Sequence, residues 1–130
     1  MSDPVISVYV NRAQKFAEGM RFLRERPEHL MAAGLLAVHS AIAFNDAVLM
    51  KLTGRSGLSQ DHKRAPAMTR KACHERRLDD RGISHLKELI DFKDEIAYQG
   101  KPIAPEKITR MCKTAERFEA WAKPMLKGDI

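Results

Sequence analysis

Apolar residues recur at steps of three and four along most of the chain, the spacing of one face of an α-helix. No stretch alternates apolar and polar residues in the manner of a half-buried β-strand. The pattern predicts five helical segments, at about Val5–Arg26, His29–Gly54, Asp61–Arg77, Ile83–Tyr98 and from Pro105 onward. We therefore expect an all-α protein.

Residues typical of helix ends support these boundaries. Asp3 and Pro4 form an N-cap followed by a first-turn proline, and Gly54 closes the second segment, where the stretch GRSGLS reads as cap and turn. Pro66 predicts a short or bent third helix, because proline inside a helix removes a hydrogen bond. Four long helices with short connections pack most simply as an up-and-down four-helix bundle, here with one extra short helix in a single domain over residues 1–130.

The second helical segment is apolar nearly all round its circumference. A helix of this kind lies at the centre of a bundle or carries an intermolecular interface in addition to an intramolecular one. Because it is apolar on more faces than one bundle can bury, we expect a homodimer formed largely by the long helices.

Polar residues interrupt two of the apolar faces. Lys93 falls in phase with the buried stripe of the fourth helix, and His39 and Asp46 share one face of the second, with Asn45 beside Asp46. If that face meets the fourth helix, Asp46 is the natural counter-charge for Lys93, and His39 can bond either group or a ligand. The sequence leaves open whether this is a ligand site or a network that fixes helix register.

Most of the net charge of +6 is concentrated in one basic cluster. It consists of Lys63, Arg64, Arg70, Lys71, Arg76, Arg77 and Arg81, interleaved with His62 and His74. Such a cluster is typical either of a solvated face or of a surface for an anionic ligand or nucleic acid. It contains no aromatic residue on which a base could stack.

Other features narrow the class of protein. Two cysteines, Cys73 and Cys112, fit a reduced protein better than a disulfide framework. We find neither a signal-peptide pattern nor an uncharged run of about 18 apolar residues, so we expect a cytoplasmic protein without membrane contact. His62, Cys73 and His74 lack a recognised ligand spacing, and we expect neither a metal nor a cofactor.

Four stretches of the sequence carry a resemblance to a known family. They are AVHSAIAFNDAVL, GLSQDH, LKELIDFKDEIAYQG and APEKITRMCKTAERFEAW. Together they resemble HEPN domains, the helical modules named for nucleotide binding in higher eukaryotes and prokaryotes. The resemblance implies a bundle of four or five helices that is commonly dimeric. It also implies partners, since some HEPN proteins bind nucleotides and others form toxin and antitoxin pairs with a small nucleotidyltransferase.

Many HEPN domains are metal-independent ribonucleases with an arginine, a polar residue after it, and a histidine near the end of the penultimate helix. The matching positions here are Lys93, Asp94 and Tyr98, so both defining residues differ. Tyrosine, with an ordinary pKa of about 10, is a poor base at neutral pH. His39, His62 or His85 could replace the missing base, but nothing in the sequence places one of them beside Lys93.

The resemblance without the ribonuclease pair favours a non-catalytic binding or interaction module, for a nucleotide, another anionic ligand or an antitoxin-type partner. Two alternatives stay open: a variant metal-independent ribonuclease of toxin-antitoxin type acting on RNA, and a structural homodimer without a ligand. No catalytic residue is assigned. The candidate ligand-binding residues are His39, Asn45, Asp46, His62, Lys93, Asp94 and Tyr98.

Overall fold

The computed structural model describes residues 4–55 and 61–127. Within these residues every regular element is a helix, which confirms the all-α prediction. The elements are α1 (Pro4–Leu23), a short 3₁₀ turn (Pro27–His29), α2 (Leu30–Thr53), α3 (Ala65–Glu75), α4 (Ile83–Tyr98) and α5 (Pro105–Lys127). The predicted N-cap Asp3 and most of the stretch GRSGLS lie outside the described residues.

Prolines and one glycine set several helix ends. α1 ends at Leu23, earlier than predicted, and Arg26 is extended because the ring of Pro27 disfavours helical backbone in the residue before it. α3 begins at Ala65 with Pro66 in its first turn, so the proline forfeits no helical hydrogen bond and the helix is short, as predicted. Gly54 adopts φ +70° and its N–H bonds to the carbonyl of Met50, closing α2.

α2 is the central helix of the fold and contacts α1, α3, α4 and α5. Every residue from Ser40 to Asn45 is buried, so its apolar circumference is covered within one chain. The argument that α2 has more apolar faces than one chain can bury is therefore wrong. Large apolar side chains are exposed only near the start of the helix, at Met31 and Leu35.

A glycine allows α2 to approach α4 and α5 closely. A Cβ atom added to Gly34 would lie 2.9 Å from Cγ2 of Ile108 and 2.9 Å from Cδ1 of Ile96. Ile96 follows Lys93 by one turn of α4. The close approach at Gly34 therefore holds the end of α4 that carries Lys93 against the central helix.

Ionic contacts join the first helix to the last. Nε of Arg21 lies 3.1 Å from Oε2 of Glu116, and Nη1 of Arg24 lies 2.7 Å from Oε1 of the same carboxylate. Nη2 of Arg21 also donates to Glu119, which is buried. Trp121 on α5 packs against Phe118 and donates from Nε1 to the carbonyl of Asp79.

By length and composition alone, one described helix could cross a membrane: the segment Pro27–Thr53, which contains α2. The sequence prediction required an uncharged run of about 18 apolar residues. It missed this segment because Asp46 interrupts the run. Of its most apolar window, 78% is buried inside the fold, which is the behaviour of a core helix.

Candidate functional site

Lys93 is paired with a histidine from a distant part of the chain. α4 presents Lys93, and the turn that precedes α3 presents His62, whose Nδ1 lies 3.4 Å from Nζ of Lys93. An ammonium group can only donate, so Nδ1 of His62 is the acceptor, and its ring proton is then carried by Nε2. The contact therefore favours a neutral imidazole beside a fixed cation.

His39 on α2 belongs to the same group. Its half-buried ring lies 5.9 Å from the ring of Phe16 on α1. Burial lowers the pKa of His39, and the positive charges of Lys93 and His62 lower it further. Three side chains from α2, α4 and the turn before α3 thus form one electrostatic group, which we call the His–Lys site (His39, His62 and Lys93).

The pKa of His62 is shifted in the same direction. Burial is the largest cause, the charge of Lys93 adds to it, and Asp61 opposes it. At neutral pH the site therefore holds two neutral imidazoles and one ammonium. This arrangement offers a positive charge together with ring nitrogens that can donate or accept hydrogen bonds.

Asp94 contacts the turn that carries His62. Its Oδ2 lies 3.3 Å from Nζ of Lys63, directly beside the contact between Lys93 and His62. Two neighbouring contacts therefore attach the turn to α4. Asp94 thus lies next to the His–Lys site and pairs with Lys63, the chain neighbour of His62.

Asn45 and Asp46 have different surroundings. Asn45 is 1% exposed, and its Oδ1 accepts a hydrogen bond of 2.7 Å from Oγ1 of the buried Thr69, which links α2 to α3. Asp46 is half-buried one position further along α2. The described contact of Lys93 is with His62, and pairing of Lys93 with Asp46 stays a prediction.

Tyr98 lies at the exposed end of α4. Its side chain is 76% exposed, and on a straight helix it points about 140° away from Lys93. Tyr98 therefore does not share the half-buried environment of Lys93 within one chain.

Local carboxylates and carbonyls hold much of the basic cluster. Asp80 is contacted by Arg70 at 3.4 Å and by His74 at 2.9 Å, and Asp79 is contacted by Arg81 at 3.0 Å. Nε of Arg76 donates to the carbonyl of Leu52. These pairs divide the cluster into separate ionic contacts, which favours its interpretation as a solvated face.

Among the described residues, neither the cysteines nor a group of metal-ligating side chains forms a second reactive centre. Cys73 and Cys112 are buried free thiols, and burial raises the pKa of each to about 11, so neither is a reactive thiolate at neutral pH. In the two described ranges, no three His, Cys, Asp or Glu side chains are grouped so that they could hold a metal ion.

Sequence reasoning missed that His62 is the partner of Lys93. A weak signal is present in two pairs of adjacent residues, His62–Lys63 and Lys93–Asp94. Lys93 can donate to His62, and Lys63 can pair with the carboxylate of Asp94. Only the fold brings these pairs together, across a separation of 31 residues. No protein-family model matches the chain, and no curated protein is significantly similar to it.

Proposed function

We propose that the chain is a HEPN-like domain that binds a nucleotide or a related phosphate-bearing anion at the His–Lys site. The observation that carries the proposal is the 3.4 Å contact between Lys93 and His62, with His39 in the same electrostatic group. The HEPN resemblance of the sequence and the all-helical fold support it, with Lys93 on the penultimate helix. In this proposal α1, α2, α4 and α5 form the up-and-down four-helix bundle and α3 is the extra short helix.

An anion would relieve the electrostatic cost of this site. The lowered pKa values of His39 and His62 reflect burial beside positive charge. A phosphate group bound between the rings and Lys93 would oppose that charge and favour protonation of both imidazoles. Anion binding is therefore expected to take up protons and to strengthen as the pH falls.

Binding accounts for the site better than catalysis does. Metal-independent RNA cleavage needs a base for the 2′-hydroxyl proton and an acid for the leaving 5′ oxygen. Both imidazoles are shifted toward the neutral form, so either can act as the base, but neither is a ready acid at neutral pH.

The second candidate function is a variant metal-independent ribonuclease, and one observation favours it. His62 supplies beside Lys93 the imidazole that the Tyr98 position lacks. Nδ1 of His62, released from its contact with Lys93, would take the 2′-hydroxyl proton. Lys93 would then stabilise the charge of the phosphorane, and protonated His39 would donate to the leaving oxygen. Since His39 must be protonated for that last step, cleavage should be faster below neutral pH.

Isothermal titration with AMP tests the binding proposal. Lys93→Met should weaken binding about tenfold, because one charge-assisted contact is lost. Lys71→Met is the matched control, since Lys71 is an exposed lysine on α3 and its loss removes the same charge. Equal weakening in both variants would assign the binding to diffuse positive charge and would contradict the proposal.

Single-stranded RNA incubated with the protein and a chelator separates the two functions. Under the binding proposal the RNA stays intact. Cleavage that disappears in His62→Ala would establish the ribonuclease instead. Absence of both binding and cleavage would leave a structural homodimer, the third interpretation of the sequence.

We also propose that the domain is a homodimer, through a face other than the middle of α2. Met31, Leu35 and His39 follow one another at steps of four and share one face of α2, and the first two are 53% and 37% exposed. A copy packed on this face would lie beside the His–Lys site. A nucleotidyltransferase of toxin-antitoxin type is the proposed heterologous partner, and a reading frame for one beside this gene would support it.

A further inference from the structure

α3 and α4 enclose a groove of about 350 Å³ that adjoins the His–Lys site at Lys63 and Asp94. None of His39, His62 and Lys93 lines it. Its apolar lining residues are Ala67, which is exposed, and Pro66 and Ile90, which are largely buried. Its charged residues are Lys63, Arg70, Lys87, Asp91 and Asp94. An apolar surface with a few convergent charged groups is typical of small-molecule sites, and this volume falls at the lower end of their range.

Two ion pairs define the direction of the groove. Lys63, before α3, contacts Asp94 near the end of α4, at 3.3 Å. Arg70, further along α3, contacts Asp80 just before α4 begins, at 3.4 Å. The two helices therefore run in opposite directions, and Arg70 lies toward the beginning of α4, where Lys87 is found.

This places two cations on opposite walls at one end of the groove. Arg70 shares its partner Asp80 with His74, so that carboxylate is divided between two groups. The side chain of Lys87 is exposed in the first turns of α4. Like charges that face one small volume raise its positive potential, and an anionic group between them would interact favourably with both.

The opposite end of the groove has a different character. Asp94 is held by Lys63, and Asp91 lies one turn after Lys87 on α4. Carboxylates only accept hydrogen bonds, so this end suits a hydroxyl or amino group. The apolar stretch formed by Pro66 and Ile90 separates the two ends.

We propose that this groove binds a small molecule with a phosphate or carboxylate group on an apolar body. The anionic group lies between Arg70 and Lys87, and the apolar body rests on Pro66 and Ile90. A donor group at the far end of the molecule would meet Asp91 or Asp94. This site does not depend on the nucleotide proposed for the His–Lys site.

Phenyl phosphate and benzoate are suitable probes, because each joins an anionic group to an apolar ring. Titration followed through the backbone amide resonances of Ala67 and Ile90 should show saturable shifts with at least one of them. The probe that binds with the higher affinity shows whether the groove prefers a phosphate or a carboxylate group. Phenol should bind more weakly because it lacks the charge, and inorganic phosphate because it lacks the ring.

Variants locate the binding. Arg70→Gln and Lys87→Gln should each weaken it about fivefold or more, as expected when one charge-assisted contact is lost. Lys71→Gln, which removes an exposed lysine of α3 outside the groove, should bind like the wild type. Amide spectra of the variants, which carry changes only at exposed positions, report whether each one is folded.

Three results would overturn the proposal. The first is the absence of saturable shifts at Ala67 and Ile90 with both probes. The second is equal weakening in Lys87→Gln and Lys71→Gln. The third is loss of binding in Lys93→Met, which would assign the probe to the His–Lys site, whereas unchanged binding in that variant separates this proposal from the proposed function.

Discussion

Nζ of Lys93 lies 3.4 Å from Nδ1 of His62, and this contact joins α4 to the turn before α3. It places a neutral imidazole beside the one cation that interrupts the apolar stripe of α4. On α4 itself, Tyr98 occupies the position that matches the HEPN histidine, but it is exposed and turned away from Lys93. The chemistry of the site therefore depends on His62, which the fold brings to Lys93 from a distant part of the chain.

The stability of the protein should fall as the pH is lowered from about 7.5 to 5.5. Burial lowers the pKa of His39 and of His62, so the unfolded chain, with ordinary histidine pKa values near 6.5, binds more protons. The stability that the two neutral histidines contribute is fully present above about pH 6.5. It is lost as the pH falls through their lowered pKa values in the folded protein. Thermal unfolding across this range measures it.

The matched variant for this prediction is His62→Gln, which should show a smaller loss of Tm over the same range. Glu116, whose pKa is lowered chiefly by the hydrogen bond from Arg24, contributes to pH dependence only below its ordinary pKa of 4.5. A wild-type Tm that does not change between about pH 7.5 and 5.5 would refute the histidine assignment.

Gly34→Ala should destabilise the fold by about 1–3 kcal/mol, because overpacking displaces the side chains it meets. The new methyl group would lie 2.9 Å from Ile96 and from Ile108. Gly100→Ala is the control, since no atom lies within 4 Å of a Cβ added there. Urea unfolding of both variants gives the comparison, and equal stability would show that α2 and α4 do not approach closely at Gly34.

Glu116→Gln should lower the free energy of unfolding by about 1 kcal/mol at neutral pH, because a partly exposed charge-assisted hydrogen bond is of moderate strength. Glu116 accepts hydrogen bonds from Arg21 and Arg24, whereas Glu18 forms one exposed pair with Lys15 at 3.5 Å. Glu18→Gln should therefore change stability by less than about 0.5 kcal/mol. The difference should disappear in acid, as Glu116 becomes protonated below its ordinary pKa of 4.5.

The double variant Met31→Ser, Leu35→Ser should convert the proposed homodimer to a monomer in sedimentation velocity. Phe22→Ser provides the control, because Phe22 is 60% exposed on α1 and is covered on one side by Arg26, whose guanidinium carbon lies 3.6 Å from the ring centroid. A wild-type monomer at all concentrations, or a dimer that survives the double substitution, would count against this interface.

The helices could be predicted from sequence because local signals determine them. α4 was predicted at its observed bounds, Ile83–Tyr98, where Gly82 precedes an apolar stripe that only Lys93 interrupts. α1 was predicted too long because no helix-breaking residue occurs between Leu23 and Pro27, while Pro27 imposes extended backbone on Arg26.

Long-range relationships could not be predicted in the same way. The all-round apolar character of α2 suggested an intermolecular interface, yet four other helices of the chain cover its middle. The sequence pairs Lys93 with Asp46 because the faces that carry them match, whereas His62 lies in the turn before α3, whose path no periodicity defines. Pairing across 31 residues is a property of the packed structure.

The central claim is that His39, His62 and Lys93 together bind a phosphate-bearing anion, and the imidazole pKa values measured by NMR test it most directly. Saturating AMP should raise the pKa of both His39 and His62, because a bound phosphate favours the protonated rings. Lys93→Met should abolish this AMP-dependent rise, and Lys71→Met should preserve it. Imidazole pKa values that are the same with and without AMP, or a rise that persists in full without Lys93, would contradict the account.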